Sequence, residues 1–157
     1  MSKEKILDQL LDKAFFKGMD EADLKFLAEN ASSRNLKEDE VLFRHGNRAD
    51  SFFLVTGGRI SLEVAAIEGP PLELQNVGEG AIIGWSWLIP PYRWHFQARA
   101  EEDSSVIRFD GDVIFERCEK DPDFGYEMLK RFAGLMSERV SSAREKMMQE
   151  WNPPGFA

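Results

Sequence analysis

Apolar residues near the start of the chain recur every three or four positions: Ile6, Leu7, Leu10, Leu11, Ala14 and Phe15. That spacing puts them on one face of a helix, which Gly18 ends. Asp20 is a good N-cap residue, and a second short helix is predicted over 21–31, with Leu24, Phe26, Leu27 and Ala28 as its apolar members. From residue 33 to 110 the period changes. Ile60, Leu62 and Val64 alternate with Ser61 and Glu63, and Leu72 and Leu74 with Glu73 and Gln75. A period of two predicts strands with one buried face. The apolar runs 41–43 and 52–55 stop at His45-Gly46-Asn47 and Thr56-Gly57-Gly58, and such turn signals recur about every ten residues, as in a barrel or sandwich. After Asp110 the helical period returns. Asp112 is placed to cap a short helix over 113–120, and Asp121-Pro122 combines an N-cap with a proline at the first helical position. A long helix is predicted over 122–149, carrying a stripe of Phe124, Met128, Phe132, Leu135, Met136, Val140, Ala143 and Met147. At 1.5 Å per residue it is roughly 40 Å long, more than a small barrel needs to cover itself. The organisation is therefore N-terminal helices over 1–31, a β region over 32–110, a short and a long helix over 111–150, and a loop-like tail over 151–157.

A chain of 157 residues suits one domain with a real core. Its 43% hydrophobic and 31% charged residues are ordinary for a globular protein. The net charge of -8 repels phosphate backbones and anionic bilayers, so neither DNA nor a membrane is expected as a partner. Cys118 is the only cysteine, so no internal disulfide forms. The first residues carry scattered charges and do not read as a signal peptide. The longest uncharged stretch, 80–92, is too short to span a bilayer and contains Pro90 and Pro91. A cytoplasmic protein is expected.

Two segments carry a family resemblance. Residues 46–60, Gly-Asn-Arg-Ala-Asp-Ser-Phe-Phe-Leu-Val-Thr-Gly-Gly-Arg-Ile, match the early hairpin signature of the cyclic nucleotide-binding domain found in the catabolite activator protein and fumarate-nitrate regulator superfamily. Residues 77–84, Val-Gly-Glu-Gly-Ala-Ile-Ile-Gly, resemble the approach to that family's phosphate-binding cassette. The similarity spans roughly residues 15 to 140. It implies an α+β, mainly β fold: a double-stranded β-helix or β-roll (jelly-roll), flanked by N-terminal helices and a long C-terminal helix. In the family, a short cassette helix turns its N-terminal amides toward the cyclic phosphate. A glutamate accepts from the ribose hydroxyl, and an arginine pairs with the phosphate.

The cassette-like segment here is 80–98. Gly84 stands at the cassette glycine, but Trp85 follows where glutamate is usual, and an ungapped count puts the arginine position on Trp94. Arg93 is one residue early, and a one-residue loop shift would bring it in. The candidate ligand-binding residues are Gly84, Trp85, Ser86, Trp87, Arg93, Trp94, His95 and Arg99. What the resemblance implies is a stand-alone sensor or effector module for a cyclic nucleotide or another small anionic or aromatic ligand. The alternative is a ligand-free protein-interaction or scaffold domain whose pocket the tryptophans fill. Alternation in Gln97-Ala98-Arg99-Ala100 sets Arg99 on one face, where it needs an anion if buried, or pairs with Glu101 or Glu102 if solvent-facing.

Other chemistries find little support. Some relatives of the fold hold haem or an iron-sulfur cluster. One cysteine cannot build a cluster, and His95 is the lone residue placed for haem. Two histidines fifty residues apart cannot form the metal site of a β-helix enzyme. There is no phosphate loop of GK[ST] type and no cysteine in a basic setting, so no enzyme is expected. Only about eight residues follow Gln149, too few for a recognition helix. The resemblance also implies a parallel two-fold homodimer through helix 122–149.

Overall fold

The computed structural model describes residues 1–150; the predicted tail, 151–157, lies outside the described residues. Two helices come first, α1 (Lys3–Leu11) and α2 (Glu21–Glu29). Eight strands follow: β1 (Ala31–Leu36), β2 (Val41–Phe43), β3 (Ser51–Gly57), β4 (Ile60–Val64), β5 (Leu72–Val77), β6 (Ile82–Ile83), β7 (Gln97–Ala100) and β8 (Ser104–Asp110). Helices α3 (Gly111–Lys120) and α4 (Pro122–Glu150) close the chain. The strands pair antiparallel in two four-stranded sheets, ordered β1-β8-β3-β6 and β2-β7-β4-β5. This is the jelly-roll that the resemblance implies, with helices on both sides of it in the sequence.

The start signals act in part as expected. Asp121 accepts from the Phe124 amide at 3.3 Å and opens α4. Asp20 makes no capping hydrogen bond. For α3 the cap is Asp110, whose carboxylate accepts from the amides of Asp112 and Val113, so Asp112 sits inside the first turn. Residue Ala31, placed by its period in the second helix, instead begins β1.

Strand β3 shows why the run 52–55 does not alternate. Phe53 faces the other sheet and stacks on Phe43 at 6.0 Å. Phe52 faces the helices, 4.4 Å from Phe109 and 5.2 Å from Phe132 of α4. Both faces are buried, so a continuous apolar strand is the stable solution. Strand β4 departs from expectation. Ser61 and Glu63 are buried along with Ile60 and Leu62, because Gln97, Arg99 and Ser61 itself wrap the Glu63 carboxylate with hydrogen bonds. On the edge strand β5, Leu72 is exposed and Leu74 half-buried.

The single stripe expected on α4 is two stripes. Phe124, Met128, Phe132 and Leu135 are buried against the roll, whereas Val140 and Met147 are 67% and 70% exposed. At 3.6 residues per turn, spacings of three and four drift around the helix, so the later members leave the fully buried row even though Lys146 still reaches the Glu73 carbonyl of β5.

Candidate functional site

The segment after β6 forms no cassette helix. Residues 85–88 make one turn, closed by the Leu88 amide on the Trp85 carbonyl at 3.0 Å. Further on, the chain runs extended beside the β2–β3 loop. The Gly46 amide donates to the Trp94 carbonyl at 2.8 Å, the Trp94 amide to the Asn47 carbonyl at 3.0 Å, and the Ala49 amide to the Tyr92 carbonyl at 2.8 Å. Strand-like pairing makes neighbouring side chains face opposite ways. Trp94 and Phe96 are buried while Arg93 and His95 are exposed.

Inside the roll, Trp94 lies on Phe43 with ring centroids 3.8 Å apart and planes inclined by 13°. Its six-membered ring also presses on Gly84. A Cβ on Gly84 would sit 2.9 Å from Trp94 Cη2 and Cζ3, and the backbone there has φ of 102°. Glycine is required twice over, for the left-handed backbone and for the approach of the indole. The Gly84 carbonyl accepts from Trp87 Nε1 at 3.2 Å. Trp87 is wedged between Phe52 and Phe132, 5.2 and 5.4 Å away, and so fills the groove under α4. Ser86, between the two tryptophans, is buried and its hydroxyl has no hydrogen-bond partner among the described residues.

The arginines point elsewhere. Arg93 is exposed and donates to the Gly46 carbonyl at 3.0 Å. Turning it inward requires a one-residue slip, which breaks the bridge to the β2–β3 loop and expels Trp94. Arg99 lies on the outer face of its sheet. It pairs with Glu63 at 3.1 Å and Asp39 at 2.9 Å, rather than with Glu101 or Glu102. Burial pushes the Glu63 carboxyl up, but hydrogen bonds from Arg99, Gln97 and Ser61 and the Arg99 charge outweigh it and hold Glu63 below its ordinary range.

The remaining candidates meet at a second place. Trp85, half-buried and 5.8 Å from Phe96, lines a cavity of about 240 Å³ between β4, β5 and α4. His95 and Phe96 share its wall with Leu62, Leu74, Gln75, Arg139, Val140 and Ala143. Val140 and Ala143 belong to the apolar stripe expected on α4, and Arg139 does not. The available signal was Arg139, a charge interrupting the roll-facing row of Phe132 and Leu135. Gly84, Ser86, Trp87 and Trp94 therefore form a packed aromatic plug, Trp94 also bordering a cavity of about 230 Å³ with Arg34, Arg44, Arg48 and Arg108. Trp85 and His95 line the apolar cavity under α4, and Arg93 and Arg99 belong to neither.

No group of three or more His, Cys, Asp or Glu that suits a metal occurs among the described residues. Cys118 is half-buried, and burial first, then Glu119, pushes its thiol up to about 11. No helix of the described residues is long and apolar enough to cross a membrane.

The family model for the cyclic nucleotide-binding domain matches residues 33–121, which hold all eight strands but the first two residues of β1. The chain belongs to the cyclic nucleotide-binding domain family. Solved structures agree on the cyclic nucleotide-binding fold. A cyclic nucleotide-binding protein from Geobacter metallireducens superposes with a TM-score of 0.77 at 24% identity, covering 89% of this chain and 98% of that one. A cyclic nucleotide-binding domain from Methylobacillus flagellatus gives 0.77 at 18% identity, covering 98% and 86%. The sensor domain of the transcriptional regulator DNR from Pseudomonas aeruginosa gives 0.71 at 18%, covering 88% and 93%. No curated protein matches the sequence. Domains of this family are regulatory rather than catalytic.

Proposed function

We propose that this chain is a regulatory module of the cyclic nucleotide-binding family that has given up the cyclic phosphate and takes a different small ligand under α4. One observation carries the reading. Trp94 occupies the position of the phosphate-pairing arginine and stacks at 3.8 Å on Phe43, over the glycine that in the family lets the backbone approach the ligand. A cyclic phosphate brought to that position meets an indole in place of the guanidinium, and burying an anion unpaired is unfavourable. Arg34, Arg44, Arg48 and Arg108 share with Trp94 the wall of another cavity, of about 230 Å³. The cavity lined by Trp85 stays open, and α4 forms one wall of it. A ligand that prefers one placement of α4 shifts the helix by its differential affinity, which makes α4 the output. Calorimetric titration of cyclic AMP and cyclic GMP is expected to give only heats of dilution up to about 1 mM ligand. Micromolar binding of either overturns the proposal.

The output also has a surface. Leu129, Ala133, Met136, Val140, Ala143 and Met147 follow one another at spacings of four and three along α4; Leu129, Val140 and Met147 are largely exposed, and Val140 and Ala143 also border the cavity. A 3.5-residue apolar repeat is the pattern of a two-stranded coiled coil. It supports pairing of two copies, in parallel and about a two-fold axis. Met147→Glu, at an exposed stripe position outside the cavity wall, is expected to halve the mass in analytical ultracentrifugation with the melting curve of each protomer retained. Equal masses for the parent and the variant overturn the pairing.

A further inference from the structure

Arg139 is the one charged side chain in the wall of the α4 cavity. Its guanidinium has five N–H donors, and the structure shows one engaged, on the Ile82 carbonyl at 2.5 Å. No carboxylate among the described residues pairs with it. Burial pulls its pKa down, and only the charge of Glu138, its neighbour along the helix, offsets this. The contrast with the other half-buried arginines is plain: Arg99 has Glu63 and Asp39, Arg117 has Asp23 and Asp121, and Arg131 has Glu127. A cation withdrawn from water without a counter-ion is unfavourable unless an anion is supplied. Arg139 lines both the α4 cavity, walled by Leu62, Leu74, Trp85 and Phe96, and a neighbouring one of about 390 Å³ shared with Ile82, Lys130, Arg131 and Glu138.

We propose that the α4 cavity binds a planar aromatic monocarboxylate, with its ring against Trp85 and Phe96 and its carboxylate on the free edge of Arg139. Three features set that class. A single guanidinium neutralises a single negative charge and presents two parallel N–H groups to a carboxylate. The apolar walls with two aromatic rings favour an aromatic body over a sugar, by offset or edge-on stacking. A cavity of about 240 Å³ is small beside the roughly 300–1,000 Å³ of sites for drug-sized ligands and suits a ligand of about ten heavy atoms. The bound carboxylate bridges through Arg139 to the end of β6, so the ligand ties α4 to the strand that leads into the Trp94 plug.

This rests on the reading of the family site given above and deepens it. The test uses the full chain, with phenylacetate, indole-3-acetate and neutral phenylacetamide as probes, followed by calorimetry and tryptophan fluorescence. Both acids are expected to bind saturably with Kd of about 0.1–1 mM, and phenylacetamide at least about tenfold more weakly. Arg139→Gln removes the preference for acid over amide and Arg139→Lys keeps part of it. Leu62→Trp fills the cavity without touching Arg139 and is expected to abolish binding of all three, which covers the case in which the Arg139 variants fold poorly. Equal binding of acid and amide, an undiminished response in folded Arg139→Gln or in Leu62→Trp, or no saturation with either acid at about 10 mM overturns the carboxylate assignment. Saturable binding of phenylacetamide that Leu62→Trp abolishes, with no preference for the acids, overturns it while sparing the regulatory reading; cyclic nucleotide binding overturns the latter.

Discussion

The two ends of the region after Gly84 solve the same problem in opposite ways. One lies inside the jelly-roll and the other between the roll and α4, and both are lined by aromatic side chains. At one end Trp94 and Phe43 lie face to face at 3.8 Å, Gly84 supplies the missing Cβ, and Trp87 locks the glycine carbonyl. At the other, Trp85 remains half-buried beside Phe96, and the long helix stands off far enough to leave about 240 Å³. The difference lies in what each ring meets. Trp94 finds a flat partner in Phe43 of β2, the strand whose following loop pairs with the Trp94 backbone and holds the two rings at a fixed spacing. Trp85 finds the side of a helix, where a charged residue and two small or branched ones cannot complete the packing. The tight stacking at one end and the looser packing at the other are thus consequences of the neighbouring element rather than of the tryptophans.

Stability measurements test that contrast most strongly. Trp94→Ala is expected to lose about 3–5 kcal/mol in urea unfolding, as for a fully packed aromatic side chain. Leu74→Ala, on the wall of the open end, is expected to lose about 1 kcal/mol. Equal losses would show that the two ends are packed alike and break the comparison. A smaller effect concerns β4, which offers Leu62 to the cavity and Glu63 to the outer face. Glu63 is held below its ordinary pKa of 4.5. Its contribution to stability is therefore complete above that value and is lost as pH falls through the lower folded value. Unfolding free energy is expected to decline below about pH 4.5 more steeply in the parent than in Glu63→Gln. Parallel acid profiles would show that the Arg99 pair does not anchor the strand carrying Leu62.

Much of the fold was legible because it depends on local chemistry. The glycines of 46–58, the aliphatic alternation in 60–64 and the Asp121-Pro122 start signal each act over a few residues, and each is found where its pattern implies. Element caps were less legible. Asp110 and Asp112 are both suitable residues, and only the path of β8 decides which carboxylate reaches the α3 amides. The candidate site was legible in parts. Its segment was identifiable, and the sequence Arg93-Trp94-His95-Phe96 already alternates polar and apolar in the sense the structure adopts. Arg139 was not assigned to it, because a residue more than forty positions away enters the cavity only through the packing of α4.

By itself the sequence determined the family, the jelly-roll with its flanking helices, and the loss of the usual glutamate and arginine, since these reside in residue identity and short spacings. Tertiary structure alone decided which tryptophan seals and which lines an opening, which arginine has a carboxylate and which has none, and how the apolar residues of α4 divide between two faces. Those outcomes depend on distances between elements far apart in the chain, and no local period encodes such distances.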